Sequence, residues 1–332
     1  MEERIFSGIQ PTGVVHIGNY LGAIEQWVRE QYNYKSFFCI VDYHAITVPF
    51  DPAAMQDQIF DAAVVNIAAG LDPDVATIFV QSHVPEHTEL TWILNALTPM
   101  GRLSHMTQFK EKSRRLETVN VGLFDYPVLQ AADILLYKAS CVPVGEDQIQ
   151  HIELTRDIAR KFNVTYGDTF PEVRAALSET PRVMALNDPE KKMSKSILGS
   201  YIGLADEPET IRARIMKAVT DTGPQPQGEM SLGVANLFLL LKGFSSPETV
   251  TYFLQTYSEG TIRYSALKKT LAEDIIKKLE PVRRKREELL ANPRRVHEIL
   301  QRGANEARSI ARETIREVKE KMGLRYRSLD EG

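Results

Sequence analysis

The chain has 332 residues and a formal net charge of −4, and 43% of its residues are hydrophobic while 25% are charged. These values are typical of a globular protein with one large and one smaller domain, and they exclude a disordered or fibrous chain. We expect no membrane span and no signal peptide, because no apolar run has the required length or position. Cys39 and Cys141 lack metal-binding spacing, which predicts reduced thiols and a cytoplasmic location.

The N-terminal segment predicts a strand, a loop with several glycines and then a helix. A short apolar strand ends at Phe6, Gly8 and Gly13 punctuate the loop, and helical spacing begins at Tyr20. The free N–H groups and the dipole at such a helix start favour an anion such as phosphate. Glycines in this number more often belong to an ordinary turn, so a phosphate site requires a partner motif.

Apolar runs alternate with helical patterns up to about residue 190. We predict strands at 36–42, 77–81, 140–145 and 182–186, helices at 51–70, 126–137 and 146–162, and helical segments over 86–112. Such alternation favours an open, doubly wound parallel sheet. Ligands bind beyond the carboxyl ends of the strands in these sheets. The residues after Phe6, Asp42, Gln81 and Gly145 are therefore expected to share one cleft.

The C-terminal third predicts helices without strands. From Glu207 onward the strand signals end, and the last helix, over 294–322, carries one apolar stripe. That stripe favours packing on the body of the protein over a coiled coil. Lysine and arginine outnumber acidic residues beyond residue 271, which indicates a polyanionic partner. Trp27 and Trp92 are predicted to be core aromatics.

A lysine-rich segment, KKMSKS at residues 191–196, follows the last predicted strand. Alone it is typical of a solvated loop, although two lysines and two hydroxyls could also gather around a polyphosphate. HIGN at 16–19 and KMSKS together resemble the paired signature of class I aminoacyl-tRNA synthetases. The chain is similar to bacterial tryptophanyl-tRNA synthetases from residue 4 to about 222 in GIQPTG, VDYHAIT, MTQFKEKS, YPVLQAADILLY, VPVGEDQ and HIELTRDIA.

The resemblance implies a Rossmann-like catalytic domain over residues 1–190, the KMSKS loop over 191–200 and an all-α anticodon-binding domain over 201–332. It implies that L-tryptophan attacks the α-phosphorus of ATP, with Mg²⁺ bound to the phosphates, and then passes to tRNA(Trp). The attacking carboxylate is already ionised near neutrality, so positioning and charge stabilisation are enough. A homodimer is also implied, with no membrane and no DNA as partners.

The resemblance also assigns residues to the nucleotide. The catalytic positions are His16, Lys192, Lys195 and Lys112. The remaining ATP-binding positions are Gln10, Pro11, Thr12, Gly18, Asn19, Gly145, Glu146, Asp147, Val183, Met193, Ser194 and Ser196. No protein side chain is expected to bind a metal ion, because Mg²⁺ would bridge phosphate oxygens.

Asp133 is the residue that the resemblance assigns to the indole. An indole N–H can only donate, so a carboxylate suits it, and an unpaired buried carboxylate would be costly in the apolar AADILL segment. A capping or salt-bridging role is the alternative. The other positions assigned to tryptophan are Phe6, His44, Tyr126, Gln130, Val144 and Gln148.

Two departures from the family pattern leave alternatives open. Gln130 stands where many bacterial members have methionine, and a Gln/Asp pair at i, i+3 is also typical of tyrosyl-tRNA synthetases. Tyrosine is therefore the alternative substrate, and a non-catalytic synthetase paralogue is a further alternative. Ile197-Leu198 replaces the usual polar continuation after KMSKS. The segment from His83 to His87 matches the HxxEH zinc pattern, but Pro85 disfavours the regular helix that this chemistry needs.

Overall fold

The computed structural model describes residues 3–114, 116–177, 182–194, 197, 199–221 and 230–324. The strands are β1 (Arg4–Ile9), β2 (Lys35–Ile40), β3 (Thr77–Val80), β4 (Cys141–Val144) and β5 (Arg174–Leu177). The helices are α1 (Ile17–Asn19), α2 (Glu25–Glu30), α3 (Asp42–Ala45), α4 (Pro52–Ala68), α5 (Glu86–Asn95), α6 (Met100–Ser104), α7 (Thr107–Ser113), α8 (Val121–Leu136), α9 (Ile149–Tyr166), α10 (Pro208–Lys217), α11 (Leu232–Phe244), α12 (Pro247–Ser258), α13 (Tyr264–Ala291) and α14 (Pro293–Lys321). A π-helical stretch, Tyr20–Ile24, joins α1 to α2.

The five strands form one parallel sheet in the order β3-β2-β1-β4-β5. In register, Ile5 of β1 lies between Ser36 of β2 and Cys141 of β4. The chain moves outward from β1 to β3 and then returns to build β4 and β5 on the other side. This order confirms the predicted doubly wound sheet, and it puts the switch point, where such sheets bind ligands, between β1 and β4.

The prediction of the fifth strand is wrong. β5 lies at Arg174–Leu177, whereas the apolar run at 182–186 forms only an isolated antiparallel bridge between Met184 and Lys192. Asn236 of α11 accepts from the Met184 N–H and donates to its carbonyl oxygen, each at 2.9 Å. The run is apolar because it packs under α11, not because it belongs to the sheet.

The sheet separates two hydrophobic cores. Alternate side chains of β2 point to opposite faces, so Phe38 and Ile40 enter one core while Phe37 and Cys39 enter the other. The first core contains the N-terminal helices, α4 and the helices from α10 to α13. The second contains α5, α8 and α9. The sheet is thus covered on both faces, as parallel sheets normally are.

Helix α14 joins the two cores around the outer edge of β3. Its residues Val296 and Leu300 lie in the first core, and Ala307 and Ala311 lie in the second. The crossing point is Gly303, where an added methyl group would lie 1.9 Å from the Ile78 carbonyl oxygen. The apolar stripe of this helix therefore packs on the sheet, and it covers an edge strand that would otherwise be open to pairing.

The helical part also contacts the first helix after β1. The Tyr20 ring stacks on Phe244 of α11 with the centroids 6.3 Å apart. Lys278 of α13 places its Nζ 3.2 Å from a Glu25 carboxylate oxygen and 2.9 Å from the Gly243 carbonyl oxygen. The segment that follows HIGN is thus held from the side of α11 and α13.

The prediction for Trp92 needs correction. Trp27 is buried, but Trp92 is 79% exposed, because α5 turns Leu90 and Leu94 to the core and Trp92 away from it. The helical segments predicted over 86–112 are α5, α6 and α7. Within the described part of the chain, no helix is both long enough and apolar enough to span a bilayer.

Candidate functional site

The loop between β1 and α1 carries the first predicted motif. Gly13 has a φ of 66°, a region that favours glycine, and His16 is extended and precedes the helix. The His16 N–H donates to Asn19 Oδ1 at 3.1 Å, while the Ile17 N–H donates to the Ile202 carbonyl oxygen at 2.9 Å. A helix thus begins here, but its first N–H group is bound to residue 202 and is not available to a phosphate.

The two signature segments meet at Gly18. A methyl group added there would lie 3.0 Å from the His16 ring and 3.4 Å from Met193 Sδ. Met193 is buried, and its N–H donates to the Val183 carbonyl oxygen at 3.1 Å. The fold therefore brings HIGN and the first half of KMSKS into contact, and it explains why glycine stands at position 18.

The second half of the lysine-rich motif is only partly described. The Ser200 hydroxyl donates to the carbonyl oxygens of Ser194, at 2.6 Å, and Ile197, at 2.7 Å. Lys195 and Ser196, both predicted to bind ATP, lie outside the described residues, as does Leu198.

Residues that follow two neighbouring strands border the switch point. Gln10, Pro11 and Thr12 follow β1, and the predicted Gly145 and Glu146 follow β4. Because β1 and β4 are adjacent and parallel, both groups lie at the same edge of the sheet. The residues that follow β1 and β4 are therefore neighbours at this edge, where the common cleft is expected.

Asp147 and Lys112 bring charge to this cleft. Burial acts to raise the pKa of Asp147, but a hydrogen bond from Gln148 and the positive charge of Lys192 lower it below its ordinary value. Burial lowers the pKa of Lys112, with partial compensation from Asp147. The Lys112 Nζ lies 4.7 Å from the centroid of the Tyr126 ring. Lys112 therefore lies between the predicted nucleotide and amino-acid groups.

Asp133 lies at the centre of a buried hydrogen-bond network. Its Oδ1 accepts from Gln81 Nε2 at 2.7 Å and from His87 Nδ1 at 2.6 Å, and its Oδ2 lies 2.7 Å from His44 Nε2. Burial acts to raise the pKa of Asp133, but His44 and His87 lower it to about 2 through charge and hydrogen bonding. The carboxylate is thus ionised and firmly held, and His44 lies beside the oxygen with fewer donors.

Tyr126, predicted to bind the ammonium group, is held by His151. His151 Nε2 lies 3.0 Å from the Tyr126 hydroxyl. Burial and the charge of Lys112 lower the pKa of His151 to about 4, so its ring is neutral near pH 7. A neutral ring leaves Nε2 able to accept the Tyr126 proton, which would turn the lone pairs of the hydroxyl toward a cation.

Gln130 does not reach Asp133. Its Nε2 donates to Gln148 Oε1 at 3.3 Å, and Gln148 donates to Asp147 at 3.1 Å. Gln130 thus belongs with the predicted ammonium-binding side chain Gln148 and not with the carboxylate assigned to the ring.

Several residues of the site were not predicted as members of it. They are Gln81, His87, Tyr137 and His151. The sequence carried a signal for Gln81 and Tyr137, because each directly follows an apolar run, whereas His87 and His151 lie in mixed polar segments. No spacing rule connects them to Asp133 or Tyr126, because they come from different elements of the fold.

The HxxEH residues serve other contacts. His83 is exposed, whereas His87 is fully buried and bonds to Asp133. Glu86 accepts from Arg308 at 3.0 Å and from Arg312 at 3.2 Å. The two histidines and the glutamate therefore do not converge on one point, and the zinc alternative has no geometric support.

The sequence model of a family described as tRNA synthetases class I (W and Y) matches residues 2–280. The chain belongs to this family. It is 48% identical to the tryptophan–tRNA ligase of Caldanaerobacter subterraneus subsp. tengcongensis over 97% of this chain and 98% of that one. It is 45% identical to the tryptophan–tRNA ligase of Helicobacter pylori strain 26695, over 97% of this chain and 99% of that one.

Solved structures of this synthetase family share the fold. Tryptophanyl-tRNA synthetase from Campylobacter jejuni, crystallised with ADP and tryptophan, is 37% identical and superposes with a TM-score of 0.84 over 96% of this chain and 99% of that one. Tyrosyl-tRNA synthetase from Archaeoglobus fulgidus, with a TM-score of 0.69, is 21% identical over 86% of this chain and 90% of that one, and shows the fold alone.

Proposed function

We propose that this chain is a tryptophan–tRNA ligase, which forms tryptophanyl-adenylate from L-tryptophan and ATP and transfers tryptophan to the 3′ end of tRNA(Trp). The observation that carries the amino-acid assignment is the buried, ionised carboxylate of Asp133 at the carboxyl edge of the sheet. It suits a ligand with a ring N–H. The full-length similarity to curated tryptophan–tRNA ligases supports the same reaction.

ATP would bind at the switch point between β1 and β4. Gln10 to Thr12, His16, Gly18 and Asn19 contact it from one side, and Gly145 to Asp147 from the neighbouring strand. Val183 and the residues from Lys192 to Ser196 close over the phosphates. The contact between Gly18 and Met193 Sδ supports this arrangement, because it brings the two signature segments together. Positive charge from Lys192, Lys195 and Lys112 would stabilise the negative charge on the phosphate oxygens as the carboxylate attacks the α-phosphorus and pyrophosphate leaves.

Mg²⁺ would be held by ATP and not by the protein. Within the described residues, no group of three or more His, Cys, Asp or Glu side chains could hold a metal ion. Phosphate oxygens are good Mg²⁺ ligands, and the ion usually keeps several waters. Its chemistry would be to neutralise charge on the leaving pyrophosphate.

Tryptophan would lie between Asp133 and the group around Tyr126. The indole N–H donates to Asp133, with Phe6, His44 and Val144 around the ring. Tyr126 and Gln148 accept from the ammonium group, and Gln130 supports Gln148 through their hydrogen bond. The neutral state of His151 favours a Tyr126 hydroxyl that faces the cation with its lone pairs.

The helical region over 201–332 would meet the anticodon of the tRNA. Basic side chains near the turn from α13 to α14 are plausible phosphate contacts, because phosphate contacts carry much of the affinity for nucleic acids. These side chains are Arg283, Arg284, Lys285, Arg294 and Arg295. We place the boundary with the catalytic domain at the lysine-rich segment, with α14 packing back on β3.

A homodimer is the expected assembly, and the cytoplasm the expected location. Trp92 on α5, Met100 on α6 and Val121 on α8 are exposed by 79%, 74% and 79%, and α5 and α6 both pack against α8. Exposed large apolar side chains on neighbouring helices are typical of a subunit interface. Cys39 and Cys141 are free and buried, which suits a reducing compartment.

The test of the proposed function is ATP–pyrophosphate exchange with purified protein and each amino acid in turn. We expect exchange with tryptophan and, in a second assay, charging of tRNA(Trp). Exchange with tyrosine alone would overturn the substrate assignment. Failure of both assays with well-folded protein would favour the non-catalytic paralogue.

A further inference from the structure

The two oxygens of Asp133 differ in how many donors they already have. Oδ1 accepts from both Gln81 and His87, at 2.7 and 2.6 Å, whereas among the residues that the structure describes Oδ2 is bonded only to His44, at 2.7 Å. A carboxylate oxygen offers two lone-pair directions. Oδ1 is therefore filled by the protein, and Oδ2 is the oxygen that can accept one more donor.

His87 is itself held by Tyr137, the residue that follows α8. The Tyr137 hydroxyl lies 2.8 Å from His87 Nε2. Its ring is fully buried and stacks on Phe37 at 4.7 Å and on Phe6 at 5.6 Å between centroids. Burial raises the pKa of Tyr137 well above its ordinary value, so the hydroxyl keeps its proton.

This arrangement determines which nitrogen of His87 carries the proton. Because the Tyr137 hydroxyl is protonated and faces Nε2, it donates there, and Nε2 accepts. The ionised carboxylate of Asp133 can only accept, so the ring nitrogen that faces it, Nδ1, carries a proton. That Nδ1–H points at Asp133 Oδ1, so the chain of donors runs from Tyr137 through His87 to the carboxylate.

We propose that His87 and Tyr137 are positioning residues for amino-acid recognition. Tyr137 fixes the tautomer of His87, and His87 fills Oδ1 and holds the carboxylate plane so that Oδ2 faces the indole N–H. The proposal rests on the proposed assignment of Asp133 to the indole. It extends the recognition site by two side chains that would not touch the ligand.

The discriminating probe is 3-benzothienylalanine, a tryptophan analogue in which sulfur replaces the ring N–H. The wild-type protein should prefer tryptophan over this analogue in ATP–pyrophosphate exchange, because only tryptophan can donate to Oδ2. Tyr137→Phe keeps the stacked ring and removes the hydroxyl. We expect it to reduce the preference, measured as a ratio of kcat/KM values, by about tenfold, the worth of one hydrogen bond.

Two variants of His87 separate the hydrogen bond from the volume of the ring. His87→Leu removes the donor to Oδ1 and should reduce the preference by at least as much as Tyr137→Phe. His87→Asn places an amide N–H near the position of Nδ1, so this variant should keep most of the preference for tryptophan. We expect the preference for tryptophan to depend on whether residue 87 donates to Oδ1, and not on the size of its side chain.

Phe79→Leu is the matched control for a merely structural role. Phe79 is fully buried, with its ring 6.0 Å from His87 and 5.6 Å from Tyr137, but it makes no hydrogen bond to them. This variant should lower exchange with both amino acids by the same factor. If Tyr137→Phe and His87→Leu also lower both equally, the positioning proposal is overturned.

Asp133→Leu tests the underlying assignment separately, because asparagine would keep an amide oxygen that can accept the indole N–H. If Asp133 binds the indole, Asp133→Leu should lose the preference for tryptophan over the analogue. A preference that survives in Asp133→Leu would remove the role of Asp133 itself. A preference lost there but unchanged in the His87 and Tyr137 variants would remove only the positioning role.

Discussion

The close approach of α14 to β3 at Gly303 permits a quantitative prediction. In Gly303→Ala the new methyl carbon would lie 1.9 Å from the Ile78 carbonyl oxygen and 2.7 Å from the carbonyl carbon, whereas ordinary contacts begin near 3.4 Å. Both partners are backbone, so no side chain can rotate away. Helix α14 would have to move by more than an ångström, which would separate Ala304 and Ala307 from the core.

Two opposing effects decide the size of the change. Alanine has a higher helix propensity than glycine, which stabilises a helix interior by about 1 kcal/mol. Overpacking in a well-filled core costs about 1–3 kcal/mol and more when backbone must move, and we take the upper value for Gly303. We therefore expect Gly303→Ala to lower the free energy of unfolding by about 2 kcal/mol, the difference between these two values.

Urea denaturation followed by circular dichroism measures this change. Gly22→Ala is the matched control, because Gly22 is also helical but an added methyl group would meet nothing within 4 Å. The control should be unchanged or slightly stabilised, by up to about 1 kcal/mol. If Gly303→Ala behaves like the control, α14 does not pack against β3 as described, and the account of the joined cores is wrong.

Three other predictions concern the site and the assembly. His16→Ala should slow adenylate formation far more than it weakens tryptophan binding, measured by single-turnover kinetics and by equilibrium titration; equal losses would make His16 merely structural. Trp92→Asp should convert a dimer to a monomer in light scattering, whereas Tyr252→Asp, also at an exposed aromatic, should not. A Trp92 variant that remains dimeric would place the interface elsewhere. Because the pKa of His151 is lowered from 6.5 to about 4, the unfolded chain binds a proton between these pH values that the folded chain does not. Stability should therefore fall by roughly 3 kcal/mol as pH drops through this window. His151→Gln should flatten that dependence in urea titrations, and an unaltered slope would contradict the buried neutral ring.

The sequence predicts a strand correctly where a strand that is buried in the fold is also apolar in sequence. β2 and β3 are buried on both faces, so their apolar runs are continuous and easily recognised. β5 is only half-buried and has the sequence RAAL, which carries no strand signal. The run at 182–186 has the opposite property, since it is apolar but packs under α11. Trp92 shows the same limit, because the sequence alone does not distinguish an exposed tryptophan from a buried one.

The candidate site was predictable only as far as motifs extend along the chain. His16 and Lys192 belong to short signatures, and Asp133 is conspicuous as a carboxylate in an apolar helix. The hydrogen-bond partners of Asp133 share no motif, because His44 follows β2, Gln81 follows β3 and His87 lies at the start of α5. These residues meet only because parallel strands end at one edge of the sheet, so their distances depend on strand order and register. The sequence can thus nominate Asp133, but which of its oxygens has fewer donors follows only from the folded arrangement of His44, Gln81 and His87.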